Sequence, residues 1–560
     1  MSSFIRKWTK ALPLFALVVA FQFLSGNLVS QTAHIPSPRA VELGYLSQYS
    51  ISITKNQDFI AQGWPGNGTM DEPYVLENLN MVCDYQTGIF IANTTAFFEV
   101  RNCRFTAADS GVALLLNNVT HGVARSCESS GCDWHMSNSS LCSIESTNLS
   151  GHKGLGFWGC TNCSAVGNCF SLDASSGVYF TACTDCSFVG NVVRGSAGVG
   201  FELVWCVNCS VRENELAQNF NGIQLLGSND TLVSHNSIHD NWHYGLEIYS
   251  CGSTRLIENL FMNDGVVMHY WGWGWITRMI SGQDFVGFEH LFQDNAVNGK
   301  PLGFFQNFHG CVIDGSPYGQ VILVNCSDLT VDHGVTANTS IGVQVLFSDN
   351  CTLTHMALAN CSDYGAIVEQ SNCTRVLECA ATDNLGAGLF LGDSFNVVVA
   401  NSSMSGNSVG LGLSYLGYCT ILNNTLSLNT YGTGFYHASD CLFVNNTVLH
   451  NKFGVYLDDD CHHNVFYGNS IGWNEQYNAE SGSFDNQWDD GISRGNKWSD
   501  YSGFGVYEIN HWEVDHFPEL LGSLFSLVQL ALIGIGMFAG VIIVAVLVLL
   551  RRSHRMSQEV

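Results

Sequence analysis

Apolar residues are distributed along this chain in short runs bounded by Gly, Asn, Ser and Cys. The runs that begin at Gly177 (GVYF) and at Gly222 (GIQLL) are typical. Such runs are rich in residues that favour strands and are too short for helices. Between residues 87 and 471 no 3.6-residue apolar period is visible, which argues against a solenoid of paired amphipathic helices. The pattern predicts an all-β region of short strands separated by turns.

The turns between these runs recur with a fixed period. The pairs Cys160-x-x-Cys163, Cys183-x-x-Cys186 and Cys206-x-x-Cys209 follow one another at intervals of 23 residues. Short strands repeated at this length are typical of a parallel β-helix, in which each repeat forms one rung. Neighbouring rungs lie about 4.8 Å apart, so equivalent residues stack above one another. We therefore predict a parallel β-helix of roughly 23-residue rungs.

Two columns of turn residues are predicted to stack in this way. Stacked asparagines can donate and accept amide hydrogen bonds along the solenoid axis. The predicted asparagine ladder contains Asn168, Asn191, Asn214, Asn236, Asn259, Asn401, Asn424, Asn446 and Asn469. The predicted cysteine ladder contains Cys163, Cys186 and Cys209.

The cysteine spacing also satisfies a formal zinc pattern, one CxxC followed by another. The gap between the pairs follows from the rung length, however. The same column is assigned Thr231, Thr254, Cys373 and Asn396, and exchange with Thr and Asn is typical of a small turn position rather than of a metal ligand. A reduced buried thiol ladder, disulfides between neighbouring rungs and bound metal are the three alternatives, in that order of preference.

The two ends of the chain predict export and membrane anchoring. Residues 1–33 contain Arg6 and Lys7 followed by an apolar stretch, the pattern of a signal peptide or N-terminal hydrophobic segment. Residues 520–550 carry no charge and are long enough for one transmembrane helix. Arginines in the tail, residues 551–560, place that tail in the cytoplasm. We expect a single-pass protein of the cell membrane whose β-helix is extracellular.

Charge and cysteine content agree with an exterior location. The formal net charge of −27 argues against nucleic acid as a partner. All 22 cysteines fall in the part predicted to be outside, where disulfides can persist. Glycosylation sequons such as those at Asn93 and Asn118 are frequent.

The repeat pattern divides the part of the chain predicted to be extracellular into five regions. These are an N-terminal cap and entry strands (34–86), a first β-helical half (87–264), an aromatic-rich insertion (265–320), a second half (321–480) and a C-terminal cap (481–519). The insertion contains Trp271, Trp273 and Trp275, which are candidate ligand-binding residues because aromatic faces stack on sugar rings. The alternative is that these rings fill the core of a bulge or lid.

The densest ionisable cluster lies near the end of the repeats. Asp458, Asp459 and Asp460 are candidate catalytic carboxylates for glycosidic cleavage. Asp460, His462 and His463 are candidate metal ligands. The alternative is a solvated acidic turn that holds Ca²⁺ loosely, since consecutive turn residues point in different directions.

Four stretches resemble the NosD-like, pectin-lyase-type right-handed parallel β-helix proteins, especially archaeal surface members. They are GNGTMDEPYVLENL, NAVNGKPLGFFQN with GQVILVNCSDLTV, the asparagine-bearing repeats and NQWDDGISRGNKWSDYSG. The resemblance covers residues 63–503 and implies a right-handed β-helix with a connection to carbohydrates, without fixing an activity. The copper label of such proteins finds no support in a Met-x-x-Met or His-x-His pattern.

These observations favour a membrane-anchored extracellular β-helix that binds surface or environmental glycans without catalysis. The expected partner is an extracellular polysaccharide or an envelope glycoprotein. A polysaccharide lyase or glycoside hydrolase is the first alternative, although only LDDD at residues 457–460 resembles a catalytic motif of that superfamily. A structural envelope spacer or adhesin is the second.

Overall fold

The computed structural model describes residues 46–48, 50–151, 154–172, 176–269 and 289–522. These residues form a right-handed β-solenoid of about 18 turns, which confirms the predicted fold class and rung length. The predicted signal segment lies outside the described residues, and so does nearly all of the predicted transmembrane segment. Among the described residues, no helix has the length and apolar character needed to cross a membrane.

Each rung contains three strands and therefore contributes to three faces. One rung consists of Ser164–Val166, Cys169–Leu172 and Ser176–Thr181. Each strand pairs in parallel with its equivalent in the next rung. We name the faces, in chain order, the first short face, the second short face and the long face. Their alternating residues point into one interior and out to solvent.

The strands of the first segment belong to these three faces. Its first short face contains Tyr74–Glu77, Phe98–Arg101, Gly122–Arg125, Ser143–Glu145, Ser164–Val166, Ser187–Val189, Ser210–Arg212, Leu232–Ser234, Arg255–Ile257 and Leu291–Gln293. Its second short face contains Leu46–Gln48, Leu79–Val82, Asn148–Gly151, Cys169–Leu172, Val192–Arg194, Glu215–Ala217, Ser237–His239, Leu260–Met262 and Ala296–Val297. Its long face contains Ile51–Ile53, Thr87–Thr94, Leu155–Trp158, Ser176–Thr181, Val199–Val204, Asn221–Leu226, Tyr244–Tyr249 and Val266–His269. Two long strands, Arg104–Val119 and Glu128–Ser137, extend over the last two faces.

The second segment repeats the arrangement. Its long face contains Lys300–Gln306, Gln320–Val324, Val343–Leu346, Ala366–Glu369, Ala387–Gly392, Val409–Ser414, Tyr431–Tyr436, Phe453–Leu457 and Tyr477–Ser481. Its first short face contains Val312–Asp314, Arg375–Leu377, Val398–Ala400, Thr420–Leu422, Leu442–Val444 and Val465–Tyr467. Its second short face contains Ala380–Thr382, Ser403–Ser405, Thr425–Ser427, Thr447–Leu449, Ser470–Gly472, Lys497–Trp498 and Glu519–Leu520. Strands Thr330–Ala337 and Thr352–Ala359 extend over both short faces.

The boundary between the segments is a reversal of chain direction. Residues predicted as an insertion still contribute Leu291–Gln293 and Ala296–Val297 to the first segment. The chain then turns at Asn298 and Gly299, both at positive φ, and Lys300–Gln306 runs antiparallel to Ala296–Val297. Strand Lys300–Gln306 starts a new parallel sheet. The solenoid is therefore built of two stacks with separate apolar cores.

The asparagine ladder is confirmed at eight of its nine predicted positions. Asn214 is representative: its Nδ2 donates to the Phe188 carbonyl and to Asn236 Oδ1, both at 2.9 Å. Asn401 is a correction, because it takes the exposed neighbouring position at φ 54°. Ser402 fills the column instead and accepts a hydrogen bond from the Cys379 amide at 3.1 Å.

A second ladder that the sequence reading missed stands five residues after the first. It contains Asn219 and Asn241 in the first segment and Asn384, Asn407, Asn429, Asn451 and Asn474 in the second. Each asparagine donates to the amide oxygen of the next rung, except that Asn241 donates to Asp264 and Asn474 donates to Asn478. The two ladders satisfy buried backbone groups at both ends of the second short face.

The predicted cysteine ladder is also present. Cys163, Cys186 and Cys209 are buried, and all 22 cysteines of the chain are free thiols. Two assignments to this column were wrong: Cys373 and Asn396 lie at positive φ, and the buried Thr374 and Val397 fill the column. The left-handed turn position next to the column favours Asn and other short polar residues, which shifted the alignment by one residue.

Cap residues lie at both ends of the solenoid. At the start, helix Asn56–Ala61 places Phe59 in a stack with Tyr74 at 4.6 Å. At the other end, Trp488 and Trp498 are fully buried. Their indole nitrogens donate to Glu513 and Asp515, the latter from the hairpin of Tyr507–Glu508 and Val514–Asp515.

Candidate functional site

The two segments meet where the first long face ends. Among the described residues, strand Val266–His269 pairs only with Tyr244–Tyr249, so its other edge is open. Gln320 closes that edge by accepting a hydrogen bond from the Val266 amide (2.9 Å) and donating to the Val266 carbonyl (2.7 Å). Gln344 accepts from the Met268 amide (3.0 Å) and also donates to the Val266 carbonyl (2.7 Å). The edge of the first sheet therefore abuts the side of the second, which protects it from further pairing.

Apolar contacts fix the same junction. The outward side chains of Ile322, Leu346 and Ile367 are buried and belong to the core of the first segment. Neighbouring inward residues on the same strands, such as Val343 and Val345, belong to the core of the second. The two long faces consequently meet at an inside corner.

Three carboxyl groups are buried at this corner, which we define by Glu247, Asp363 and Glu369. The side chain of Glu247 is 12% exposed, and Glu369 and Asp363 are 4% and 9% exposed. Burial raises the pKa of Glu369 to about 8, of Glu247 to about 7 and of Asp363 to about 6. The corner therefore holds carboxyl groups that titrate near neutral pH.

The hydrogen bonds of these groups differ. Glu247 Oε2 accepts from Gln224 Nε2 at 2.6 Å and from Asn221 Nδ2 at 3.0 Å. The Tyr244 hydroxyl donates to Asp363 Oδ2 at 2.6 Å. Among the described residues, Glu369 Oε2 is buried without a hydrogen-bond partner. A buried carboxyl that lacks a partner favours its neutral form, in agreement with the raised pKa.

Beyond the corner, the second long face carries two rows of aromatic rings, which we call the aromatic face. Tyr431, Phe453 and Tyr477 form one row, with centroids 4.6 and 5.2 Å apart. Tyr436 and Tyr456 lie 5.7 Å apart in the other. The first row follows consecutive rungs because Tyr431 pairs with Phe453, and Phe453 with Tyr477, in the strand register. Tyr436 and Tyr456 lie in adjacent columns, since Tyr456 pairs with Gly434.

Two glycines precede Tyr456 in its outward column. Gly412 and Gly434 occupy outward positions of neighbouring strands. A Cβ added at Gly434 would lie 3.0 Å from the Tyr436 ring, and one added at Gly412 would lie 3.1 Å from the Phe390 ring. Both glycines are buried, and because they have no Cβ the Phe390 and Tyr436 rings lie close against the backbone of the strands.

The phenols of the aromatic face are neutral at physiological pH. Burial raises the pKa of Tyr436 to about 12, and burial together with nearby carboxylates raises the pKa of Tyr456 and of Tyr477. Each hydroxyl can therefore donate as well as accept a hydrogen bond. Glu480 and Asp458 lie close enough to influence these tyrosines, so the rim of the aromatic face is acidic.

The candidate catalytic carboxylates lie at the edge of the aromatic face. Asp458 is buried and accepts hydrogen bonds from the backbone amides of His437 (3.1 Å) and Asp460 (3.2 Å). The His437 ring bridges Asp458 Oδ2 and Asp460 Oδ2 at 3.1 Å each. Asp459 is exposed. Asp458 and Asp460 thus converge on the His437 ring, and Asp458 stabilises the turn.

The candidate metal ligands of the same cluster are not brought together. Asp460 contacts His437, as described, whereas His462 Nδ1 lies 2.9 Å from Asp485 Oδ1. His463 Nε2 lies 3.5 Å from the other oxygen of Asp485. The tryptophans proposed as ligand-binding residues, Trp271, Trp273 and Trp275, lie outside the described residues.

A histidine pair that the sequence reading missed lies on the surface of the second segment. His333 and His355 are 22 residues apart in sequence, yet their rings stack at 4.7 Å because they occupy equivalent positions of neighbouring rungs. Asp332 Oδ1 lies 2.9 Å from His333 Nδ1 and 2.8 Å from His355 Nδ1. The two histidines are one rung apart in sequence, so the rung period could have identified the pair. A search for histidines close in sequence does not detect residues that stack in neighbouring rungs.

Comparison with known proteins identifies the family to which this architecture belongs. Residues 49–277 and 294–503 match the family model described as periplasmic copper-binding protein (NosD). The chain belongs to the NosD family. No curated protein matches this NosD-family chain at a significant level.

Solved structures similar to this NosD-family protein are carbohydrate-active enzymes. The catalytic domain of a GH87 α-1,3-glucanase in complex with nigerose is 12% identical over 72% of this chain and 68% of that chain, with a TM-score of 0.33. The periplasmic alginate epimerase AlgG is 11% identical over 69% and 80%, with a TM-score of 0.22. The A-module of the Azotobacter vinelandii mannuronan C-5 epimerase AlgE6 is 13% identical over 72% and 95%, with a TM-score of 0.23. At these TM-scores, the likenesses carry no functional conclusion.

The NosD description implies copper, and one group of residues fits that ion. Among the described residues, Asp332, His333 and His355 form the cluster whose potential ligand atoms all lie within 4.8 Å of one another. Two imidazoles with a carboxylate are donors that suit Cu²⁺ and related transition metals. The expectation that copper finds no support was therefore too narrow, because it considered only ligands close in sequence.

Proposed function

We propose that this protein is an extracytoplasmic NosD-family β-solenoid that binds glycans on its aromatic face without cleaving them. The observation that carries the proposal is the row of Tyr431, Phe453 and Tyr477 beside the phenols of Tyr436 and Tyr456. A row of half-buried rings provides apolar surface for the C–H groups of pyranose rings, and neighbouring phenols supply hydrogen bonds to hydroxyl groups.

The charge of the rim restricts the ligand. Asp458 and Glu480 border the rings, and the whole chain carries a net charge of −27. An anionic polysaccharide would be repelled by this surface, whereas neutral and amino sugars would not. We therefore propose a neutral or amino-sugar polysaccharide, or an envelope glycoprotein that displays such sugars.

The location that we propose is the outer side of the cell membrane, with the tail in the cytoplasm. It rests on the sequences of residues 1–33 and 520–550 and agrees with the periplasmic description of the family. Protease treatment of intact cells tests it: we expect the solenoid to be cleaved or shed while an epitope on residues 551–560 remains protected.

Glycan binding can be tested with the full-length protein in detergent on an array of neutral, amino-sugar and acidic polysaccharides. We expect binding to neutral or amino sugars, with an affinity about tenfold lower for Phe453→Ala, equivalent to about 1.4 kcal/mol. Phe453 lies in the middle of its row and contacts a neighbouring ring on each side.

A matched control is Phe395→Ala, which removes another partly exposed ring of the second segment. Phe395 is 52% exposed and lies in a turn outside the long face. Its loss should leave binding unchanged. Equal losses for the two variants, or no binding to any glycan, would contradict the proposal.

Acid–base cleavage is a second candidate because of the corner carboxyls. Glu202 and Glu247 lie in one outward column, separated by Gln224, and burial raises the pKa of both. A carboxyl with a raised pKa suits a general acid. Release of reducing ends or unsaturated products that is abolished by Glu247→Gln would favour this candidate over binding alone.

A further inference from the structure

A surface cluster on the second segment, outside the aromatic face and the corner, has the donors of a transition-metal site. It contains Asp332 and His333 on strand Thr330–Ala337, His355 on strand Thr352–Ala359, and Glu378 in the next rung. We propose that Asp332, His333 and His355 bind one Cu²⁺ ion and that Glu378 orients His355 for this role.

The spacing of the three donors agrees with a shared ion. Asp332 Oδ1 lies 2.9 and 2.8 Å from the Nδ1 atoms of His333 and His355. Ligand atoms about 2.0 Å from one metal are about 2.8 Å apart when they subtend a right angle. The angle of a planar Cu²⁺ site is therefore available with small side-chain movements.

Glu378 supplies the outer support that metal-binding imidazoles need. Its Oε2 lies 3.1 Å from His355 Nε2. In the metal-free cluster His355 Nδ1 donates to Asp332 Oδ1, because a carboxylate only accepts. Binding of Cu²⁺ would release that proton to solvent, while Glu378 holds the other proton on Nε2, as carboxylates beside metal-binding histidines do.

The backbone holds the donors in place. His333, His355 and Glu378 all take positive φ, at 55°, 53° and 53°, so they occupy the same bend of successive rungs. Their side chains consequently project from a rigid ladder, and the His333 and His355 rings stack with an interplanar angle of 21°. The same bend in the first segment carries His235 and Glu258, a single imidazole and carboxylate 2.9 Å apart. That pair lacks the second imidazole and serves as an internal comparison.

The test uses the full-length protein purified without a polyhistidine tag and stripped of metal. Calorimetry with Cu²⁺ is expected to show one tight site, with weaker binding of Zn²⁺ and none of Ca²⁺. The electron paramagnetic resonance spectrum should show hyperfine coupling to two imidazole nitrogens. His355→Asn should lower Cu²⁺ affinity at least 100-fold, and Glu378→Gln should lower it about tenfold.

Asparagine is the matched replacement because Asn401 and Asn423 occupy the same positive-φ bend in later rungs. Circular dichroism is expected to be unchanged, so that loss of binding reports the ligand rather than the fold. His235→Asn in the first segment is the control and should leave the site intact. Unchanged Cu²⁺ affinity in His355→Asn, an equal loss in His235→Asn, or a spectrum without two nitrogen ligands would overturn the proposal.

Discussion

The long faces of the two segments differ, although their rungs follow the same rules. In the first segment, successive outward residues of one column are Tyr179, Glu202, Gln224 and Glu247. In the second, they are Phe390, Gly412, Gly434 and Tyr456. The first column approaches the corner and ends in buried carboxyls, whereas the second leads away from the corner and consists of aromatic rings and glycines.

The interiors show no such difference. Both segments have an asparagine ladder before the second short face and another after it, as at Asn214 and Asn219 and at Asn424 and Asn429. Inward positions satisfy the hydrogen bonds and packing that every rung requires, so they repeat. Outward positions are free of this requirement, and the comparison teaches that differences between rungs on the outside are where function is to be sought.

The largest effect is expected from substitutions in the asparagine ladder, which both segments share. Asn214→Ala and Asn424→Ala each remove an amide that donates to a buried carbonyl and to the next amide oxygen. We expect each to lower the free energy of unfolding by about 3 kcal/mol, because the partners stay buried without replacement. Urea denaturation, with hydrogen exchange to locate the damaged rungs, measures it.

The control for the ladder is Asn148→Ala, at an exposed position of strand Asn148–Gly151. It should change the free energy of unfolding by less than about 0.5 kcal/mol. A much larger loss in one segment than in the other would show that the interiors are not equivalent.

The second prediction uses the pH dependence of stability to distinguish the corner from the aromatic face. Burial raises the pKa of Glu247 to about 7 and of Glu369 to about 8, with Glu202, Asp363 and Asp393 as the charges that raise them further. The ordinary glutamate pKa is 4.5. Stability from the neutral groups is therefore complete below about pH 4.5 and is lost as the pH rises through 7 to 8.

Glu369→Gln keeps the shape of the side chain and removes its charge. We expect it to stabilise the junction at pH 9 by on the order of 1–3 kcal/mol and to have little effect at pH 5. Thermal unfolding at the two pH values measures this. Glu475→Gln, at an exposed site, is the matched control, and an equal stabilisation by both variants at pH 9 would disprove the role of burial.

A third, smaller effect concerns the aromatic face. Gly434→Val should lower glycan affinity about fivefold, since the added methyl groups would contact the Tyr436 ring and displace it. Thr181→Val on the first long face, an outward position of a neighbouring stack, should leave affinity unchanged. Titration with the glycan identified on the array measures the affinity of both variants. A loss of affinity in Thr181→Val alone would place the binding site on the first segment.

The smallest effect is expected in the cysteine ladder. Cys186→Ser should cost about 1 kcal/mol or less. The reason is that Cys186 Sγ donates to the Cys160 carbonyl at 3.5 Å, and Thr374 Oγ1 makes the equivalent bond to the Ser348 carbonyl at 3.2 Å. Titration of the denatured, unreduced protein should find all 22 thiols. A count lower by an even number would indicate disulfides between rungs.

The sequence by itself determined the length of the rung and the residues that recur in its turns. Turn residues such as Asn214 and Cys186 recur because stacked backbone groups must be satisfied identically in every rung, and identical requirements leave a visible period. Its errors were local: Asn401 and Asn396 were placed one residue off because asparagine favours both the ladder and the adjacent left-handed bend.

Only the tertiary structure decided where the outward residues meet. The reversal after Val297 brings Gln344 to the edge at Met268 and Asp363 to Tyr244, 119 residues away in sequence. Stacking likewise joins His333 to His355. Each of these contacts occurs only once among those described. Some join residues that are not equivalent positions of the repeat, and others join residues one rung apart in sequence. A linear pattern records what each rung needs internally, but it does not record the angle at which two stacks pack together.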